Sequence, residues 1–90
     1  MGIERKYKDP DAVKWFGVDW ADYLGSDTIL TSIWIIPAGL TQAGAGNTDT
    51  QASVKIGGGV LNQVYRIANR ITTSNGETLD KSIDIEIIEE

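Results

Sequence analysis

Ninety residues, 41% hydrophobic and 23% charged, describe one globular domain able to bury a core. The absence of Cys and His removes disulfides, thiolate sites, the usual general base and the commonest zinc ligand, which excludes most hydrolase constellations. Eight Lys/Arg against thirteen Asp/Glu give a net charge of -5, the wrong sign for gripping a phosphate backbone, so no nucleic-acid partner is expected.

Residues 1–10 are polar and end in Asp9-Pro10, whose ring biases the preceding residue towards extended backbone. They read as a flexible N-terminal arm ahead of a single domain over residues 11–90, ordered by a neighbour. Arg5, Lys6 and Lys8 form the basic cluster of this arm, flanked by Glu4 and Asp9, which fits a solvated segment. No apolar signal core precedes it, so cytoplasm is the default compartment.

From Ala12 to Trp20 the apolar parity changes: Val13 and Trp15 share one face, whereas Phe16, Val18 and Trp20 share the other. A bulge or bend near Gly17 would reconcile them. Asp19 to Gly25 has the makings of one helical turn, with Asp19 as cap and Gly25 as a left-handed end. Asp27 to Ile36 has strand composition and closes at Pro37-Ala38-Gly39. Its run Ile33-Trp34-Ile35-Ile36 is far short of the ~20 residues that span a bilayer, so no membrane insertion is expected.

Thr41 to Thr50 is almost devoid of apolar residues and reads as a loop. Ala52, Val54 and Ile56 then alternate with polar residues in a short strand, broken by Gly57-Gly58-Gly59. The glycines lack the Lys-Ser/Thr of a phosphate loop and are a permissive turn. Tyr65, Ile67, Asn69 and Ile71 alternate with polar residues along a strand starting near Asn62. Asn75-Gly76 supplies the pair required by a type I′ turn, and Ile83, Ile85 and Ile87 complete the hairpin.

With no sustained helical periodicity and about six or seven short strands between Gly, Pro and Asn turns, the expected fold is all-β, an immunoglobulin-like antiparallel β-sandwich. Its expected core comprises Trp15, Trp20, Trp34, Ile36, Val54, Ile56, Tyr65, Ile67, Ile71, Ile83, Ile85 and Ile87. Trp34 would be the central aromatic, and Tyr65 a corner tyrosine whose hydroxyl bonds nearby backbone.

Asp9/Asp11, Asp19/Asp22, Asp84/Glu86 and Glu89/Glu90 pair carboxylates, but no calcium loop with its closing Glu and central Gly surrounds any of them. Asp84 and Glu86 are expected on a solvated strand face. Serines lack a histidine partner and no Ser-x-x-Lys spacing occurs, so no catalytic residue, metal site or cofactor is expected. Period two forces one surface feature: if Trp34 and Ile36 point inward, Ile33 and Ile35 point outward. Their face is covered either by Thr41 to Thr50 or by another chain. The candidate contacts are therefore Arg5, Lys6, Tyr7, Lys8, Ile33 and Ile35.

Lys8-Asp9-Pro10-Asp11-Ala12-Val13, Gly17-Val18-Asp19-Trp20, Leu24-Gly25, Asp27-Thr28-Ile29, Trp34, Pro37-Ala38-Gly39-Leu40, Tyr65, Asn69-Arg70-Ile71-Thr72-Thr73 and Gly76 follow a recognisable pattern. In these the chain resembles small tailed-bacteriophage virion proteins, including fibre-tail adaptors and putative tail or head-tail proteins. It departs from them at Ile33 and Ile35, where threonine is more usual, and around Leu61 to Gln63, where a second glycine turn is common.

The resemblance implies a non-enzymatic structural virion protein, made in the bacterial host cytoplasm, that links tail and fibre or head and tail. Its implied partners are other phage structural proteins, with a homo-oligomer among them. Capsid decoration is one alternative. A carbohydrate-binding module touching the host surface through exposed Trp and the Thr41 to Thr50 loop is another.

Overall fold

The structure, a computed structural model, describes residues 3–89. Its strands are β1 (Glu4–Lys8), β2 (Lys14–Asp19), β3 (Ile29–Ile35), β4 (Leu40–Asn47), β5 (Gln51–Gly58), β6 (Val64–Thr73) and β7 (Thr78–Ile87). One helical turn, α1 (Ala21–Leu24), follows β2. A four-stranded sheet in the order β1-β7-β6-β3 packs on a three-stranded sheet in the order β2-β5-β4. Pairing is antiparallel except between β1 and β7, which run parallel. This is an immunoglobulin-like sandwich.

Strand alternation builds the core directly. Ile67 and Ile71 of β6 and Ile83, Ile85 and Ile87 of β7 are buried against Phe16 and Val18 of β2 and Ala52, Val54 and Ile56 of β5. Each fully buried aliphatic side chain of this kind contributes about 1.5–3 kcal/mol. Trp20, immediately after β2, is only 2% exposed. Its Nε1 donates to Asn69 Oδ1 on β6 (2.8 Å), and the Asn69 amide donates in turn to Ser32 Oγ and the Ile33 carbonyl on β3 (2.9 Å each). Apolar burial and one hydrogen-bonded chain thus hold the two sheets together.

Tyr65, near the start of β6, accepts a hydrogen bond at its hydroxyl from the Val60 N–H (3.1 Å). Its ring lies so close to Gly39 that a Cβ there would sit 2.9 Å from Cε1. The glycine that ends the turn after β3 therefore makes room for the tyrosine.

Several expectations are corrected. Glu4–Lys8 is a strand of the main sheet, paired from Glu4↔Ile83 to Lys8↔Ile87. A charged edge strand paired to residues some eighty positions away leaves no local apolar pattern, which is why it reads as an arm; Met1 and Gly2 of that arm lie outside the described residues. Leu40–Asn47 is likewise a strand, bonded to β5 through its backbone although its side chains bury little. The β2–β5 register runs unbroken past Gly17, so no bulge is needed there. Phe16 and Val18 face inward, Trp15 faces outward and is 54% exposed, and it is no core residue.

Trp34 and Ile36 pack against the core only partly buried. Trp34 sits on an edge strand with one flank open, so Trp20 takes the central aromatic position. The helical turn is present, but its N-cap is Trp20, with no side-chain cap bond; Asp19, one residue earlier, accepts from the Ala21 N–H at Oδ1 (3.0 Å), and Gly25 ends the turn at φ 59° and ψ -116°. Among the residues of the β6–β7 turn only Gly76 has positive φ (90°). The Gly76 N–H bonds the Thr73 carbonyl and the Thr73 N–H bonds the Glu77 carbonyl. The loop is therefore Ser74-Asn75-Gly76 with glycine at the left-handed position, a three-residue hairpin instead of a type I′ turn.

Candidate functional site

Two open sheets have four edges, and in this protein the edges differ in chemistry. β1 and β3 end the four-stranded sheet; β2 and β4 end the three-stranded one. Edge strands carry unpaired backbone donors and acceptors, and soluble proteins usually guard them with charge, proline or bulges. β1 carries Glu4, Arg5, Lys6 and Lys8, and β2 carries Lys14 and Asp19. β4 is polar, glycine-containing and bulged between Gln42 and Gly44. β3, Ile-Leu-Thr-Ser-Ile-Trp-Ile, has no charged residue and no proline, and its one irregularity lies at its start, between Ile29 and Thr31.

On the β1–β2 side the sandwich opens into a groove of about 450 Å³ lined by Arg5, Lys6, Tyr7, Lys14, Trp15, Phe16 and Gly17. Lys14 reaches across it, its Nζ donating to the Tyr7 carbonyl (3.0 Å). Arg5 meets Glu86 at 3.4 Å and Lys6 meets Glu4 at 3.6 Å, both through half-exposed side chains. Tyr7 and Trp15 present open rings, although the Lys55 ammonium stands 5.9 Å from the centre of the Trp15 ring.

Lys8 is fully buried and is no contact residue. Its ammonium donates to the carbonyls of Asp9 and Ala12 (2.7 Å each), fastening the Asp-Pro-Asp turn that leads into β2. Burial holds its pKa below the ordinary lysine value, opposed by the carboxylates of Asp9 and Asp11.

At the opposite end of the same sheet, Ile33 and Ile35 are about half exposed and Leu30 more so. The segment Thr41 to Thr50 does not cover them, because most of it is β4 of the other sheet. Between the two ends runs a ladder of ion pairs. Arg70 grips Asp80 through two hydrogen bonds (2.8 and 3.0 Å), and Arg66 grips Asp84 likewise (2.8 and 3.3 Å). These bonds lower both carboxyl pKa values, against desolvation. Asp84 is consequently buried beneath its partner and does not lie on an open solvated face.

A second depression of about 420 Å³ lies on the outer face of the three-stranded sheet, bordered by Gly17, Gly46, Asp19, Asn47 and Gln51. Among the described residues no group of three or more potential metal ligands occurs, and no helix is long and apolar enough to cross a membrane. Sequence reasoning found the basic residues of β1 and the outward isoleucines. It missed Lys14 and the exposure of Trp15, whose signal was the inward parity of Phe16 and Val18.

The family model described as podophage GP4 fiber-tail adaptor protein gp77 matches residues 8–86. Among solved structures, the chain is similar to the solution structure of the PKD domain from KIAA 1837 protein. The TM-score is 0.57 at 15% identity, covering 98% of this chain and 81% of that one. That likeness shows the fold. No curated protein matches the sequence. The chain belongs to the fiber-tail adaptor family, which is structural and agrees with the resemblance carried by its own residues.

Proposed function

We propose that this member of the podophage fiber-tail adaptor family is a non-enzymatic docking module of the virion that joins the fibre to the tail body. A linker must hold two different proteins at once, and the observation that supports the role is a pair of chemically unlike surfaces at opposite ends of one sheet. The β1 end is cationic and aromatic, whereas the β3 end is uncharged and aliphatic. The ion-paired, rigid sheet between them keeps the two contacts at a fixed separation. The partners are other phage structural proteins; a chain of net charge -5 is poorly suited to nucleic acid.

Attachment to a capsid surface alone would need only one such face, which favours linkage over decoration. Glycan binding through Trp15 is disfavoured because Lys55 stands over its ring. The test is to purify particles with and without the gene. Presence of the protein in wild-type particles and loss of fibres from otherwise complete tails in the deletion support the role. A protein absent from particles by mass spectrometry, or fibres retained in the deletion, rejects it.

A further inference from the structure

We infer that the groove between β1 and β2 is a seat for an extended, acidic segment of a partner polypeptide. The inference deepens the adaptor reading and rests on it, because it names the chemistry of one of the two partners. The first support is charge. In a chain of net charge -5, three of the eight Lys/Arg converge on this one groove, and no carboxylate is among its lining residues. Lys14 is held by a carbonyl and has no carboxylate within ion-pair distance among the described residues. Arg5 and Lys6 are engaged in long, half-exposed contacts to Glu86 and Glu4. Such pairs contribute little to stability, so carboxylates of a partner can take the same cations at small cost.

The second support is backbone. Both walls of the groove are edge strands, each bonded to a neighbour on one side only. An incoming strand can therefore satisfy main-chain groups of the groove while its side chains alternate between the two walls. That alternation suits a segment in which acidic residues, directed to Arg5, Lys6 and Lys14, alternate with small apolar ones, while Tyr7 and Trp15 project from the outer faces of their two sheets and flank the groove. A basic strand would meet three like charges, and a compact globular surface would not enter between the sheets.

The probe is a fluorescently labelled peptide of alternating Glu and Val, titrated with the intact protein by anisotropy. A Lys/Val peptide serves as control, and amide NMR shifts map the site. The acidic peptide binds, more weakly as salt rises, with shifts centred on residues 5–7 and 14–17, and the Lys/Val peptide does not bind. The double variant Lys6→Glu/Lys14→Glu keeps the wild-type amide spectrum elsewhere and binds at least about tenfold more weakly. Glu77→Gln, in the exposed β6–β7 turn, binds as wild type does.

Equal binding of both peptides, undiminished binding by the double variant, or no binding of the acidic peptide overturns the assignment. So does self-association of the protein through these same residues, which would make a second copy the occupant. Because the titration needs no particle, failure here with fibres still lost in the gene deletion sinks the acidic seat and leaves the adaptor role standing.

Discussion

Trp20 and Asn69 join the two sheets by one buried hydrogen bond, the indole N–H donating to the amide oxygen at 2.8 Å. The amide nitrogen of Asn69 is spent on Ser32 and Ile33, so the pair also ties the edge strand β3 to the core. Asn69→Ala leaves the buried indole N–H without an acceptor and opens a cavity; it should cost about 2–4 kcal/mol in urea unfolding. Trp20→Phe removes the donor and should cost a comparable amount. The double variant should cost less than the sum, because the two changes delete one shared interaction.

Tyr65→Phe loses the bond from the Val60 N–H and should destabilise by about 1 kcal/mol. Gly39→Ala should cost more. Its φ of 101° disfavours any Cβ, and that Cβ would press on the tyrosine ring at 2.9 Å. Thermal unfolding of the two variants orders them.

Lys8→Met retains the apolar stem and removes the ammonium, leaving the Ala12 carbonyl without this donor and the Asp9 carbonyl with the remaining bond from the Ala12 N–H (3.1 Å). A loss of about 2–3 kcal/mol is expected in denaturant titration. The pH profile carries a separate mark. Burial lowers the folded-state pKa of this base, so the unfolded chain binds more protons between that value and the ordinary 10.5. Wild-type stability should therefore gain a contribution as pH rises through that window, and the Met variant should lack it.

Asp80 and Asp84 titrate with the opposite consequence. Hydrogen bonds from Arg70 and Arg66 lower their folded-state pKa values below the ordinary 3.8. Their stabilisation is complete above the unfolded value and drains away as pH falls through the folded ones. Urea midpoints should fall on acidification below about pH 4, and Asp80→Asn/Asp84→Asn should show a flatter acid limb from a lower starting stability.

Ile33→Lys and Ile35→Lys place charge on the open β3 end without touching the core. Each should change stability by no more than about 0.5 kcal/mol. Incorporation into particles should nevertheless drop, read as the amount of protein recovered with purified virions. Full incorporation of both variants would remove β3 from the docking account.

The parts of the fold visible in sequence are those where side chains report burial locally. Ile67 to Ile71 and Ile83 to Ile87 alternate because one face of β6 and β7 is wholly interior. Edge strands lack that signal: β1 is charged and parallel to a distant strand, and β4 is held mainly by its backbone, with only Leu40 packed against the core. The turn at Ser74-Asn75-Gly76 was misread for a related reason. The loop closes on Thr73 and Glu77, a pairing set by the register of β6 on β7 and not by the Asn-Gly dipeptide.

The proposed interaction surfaces divide in the same way. Ile33 and Ile35 follow from strand parity, and the cations of β1 are legible as a cluster. The groove itself is not, because Lys14 and Trp15 join Arg5 and Tyr7 only when the edges of two different sheets meet. Burial of Lys8 within that basic cluster was equally hidden, since the carbonyls it holds belong to a turn whose shape the sequence does not specify.

The central claim is that one small sandwich bridges two other virion proteins through opposite edges. Cryo-electron microscopy of assembled particles tests it most directly. The predicted result is density for this domain where fibre meets tail, with the β1–β2 groove against one protein and the β3 edge against another. A domain on the capsid shell, or one touching a single neighbour with the other edge open to solvent, would contradict it.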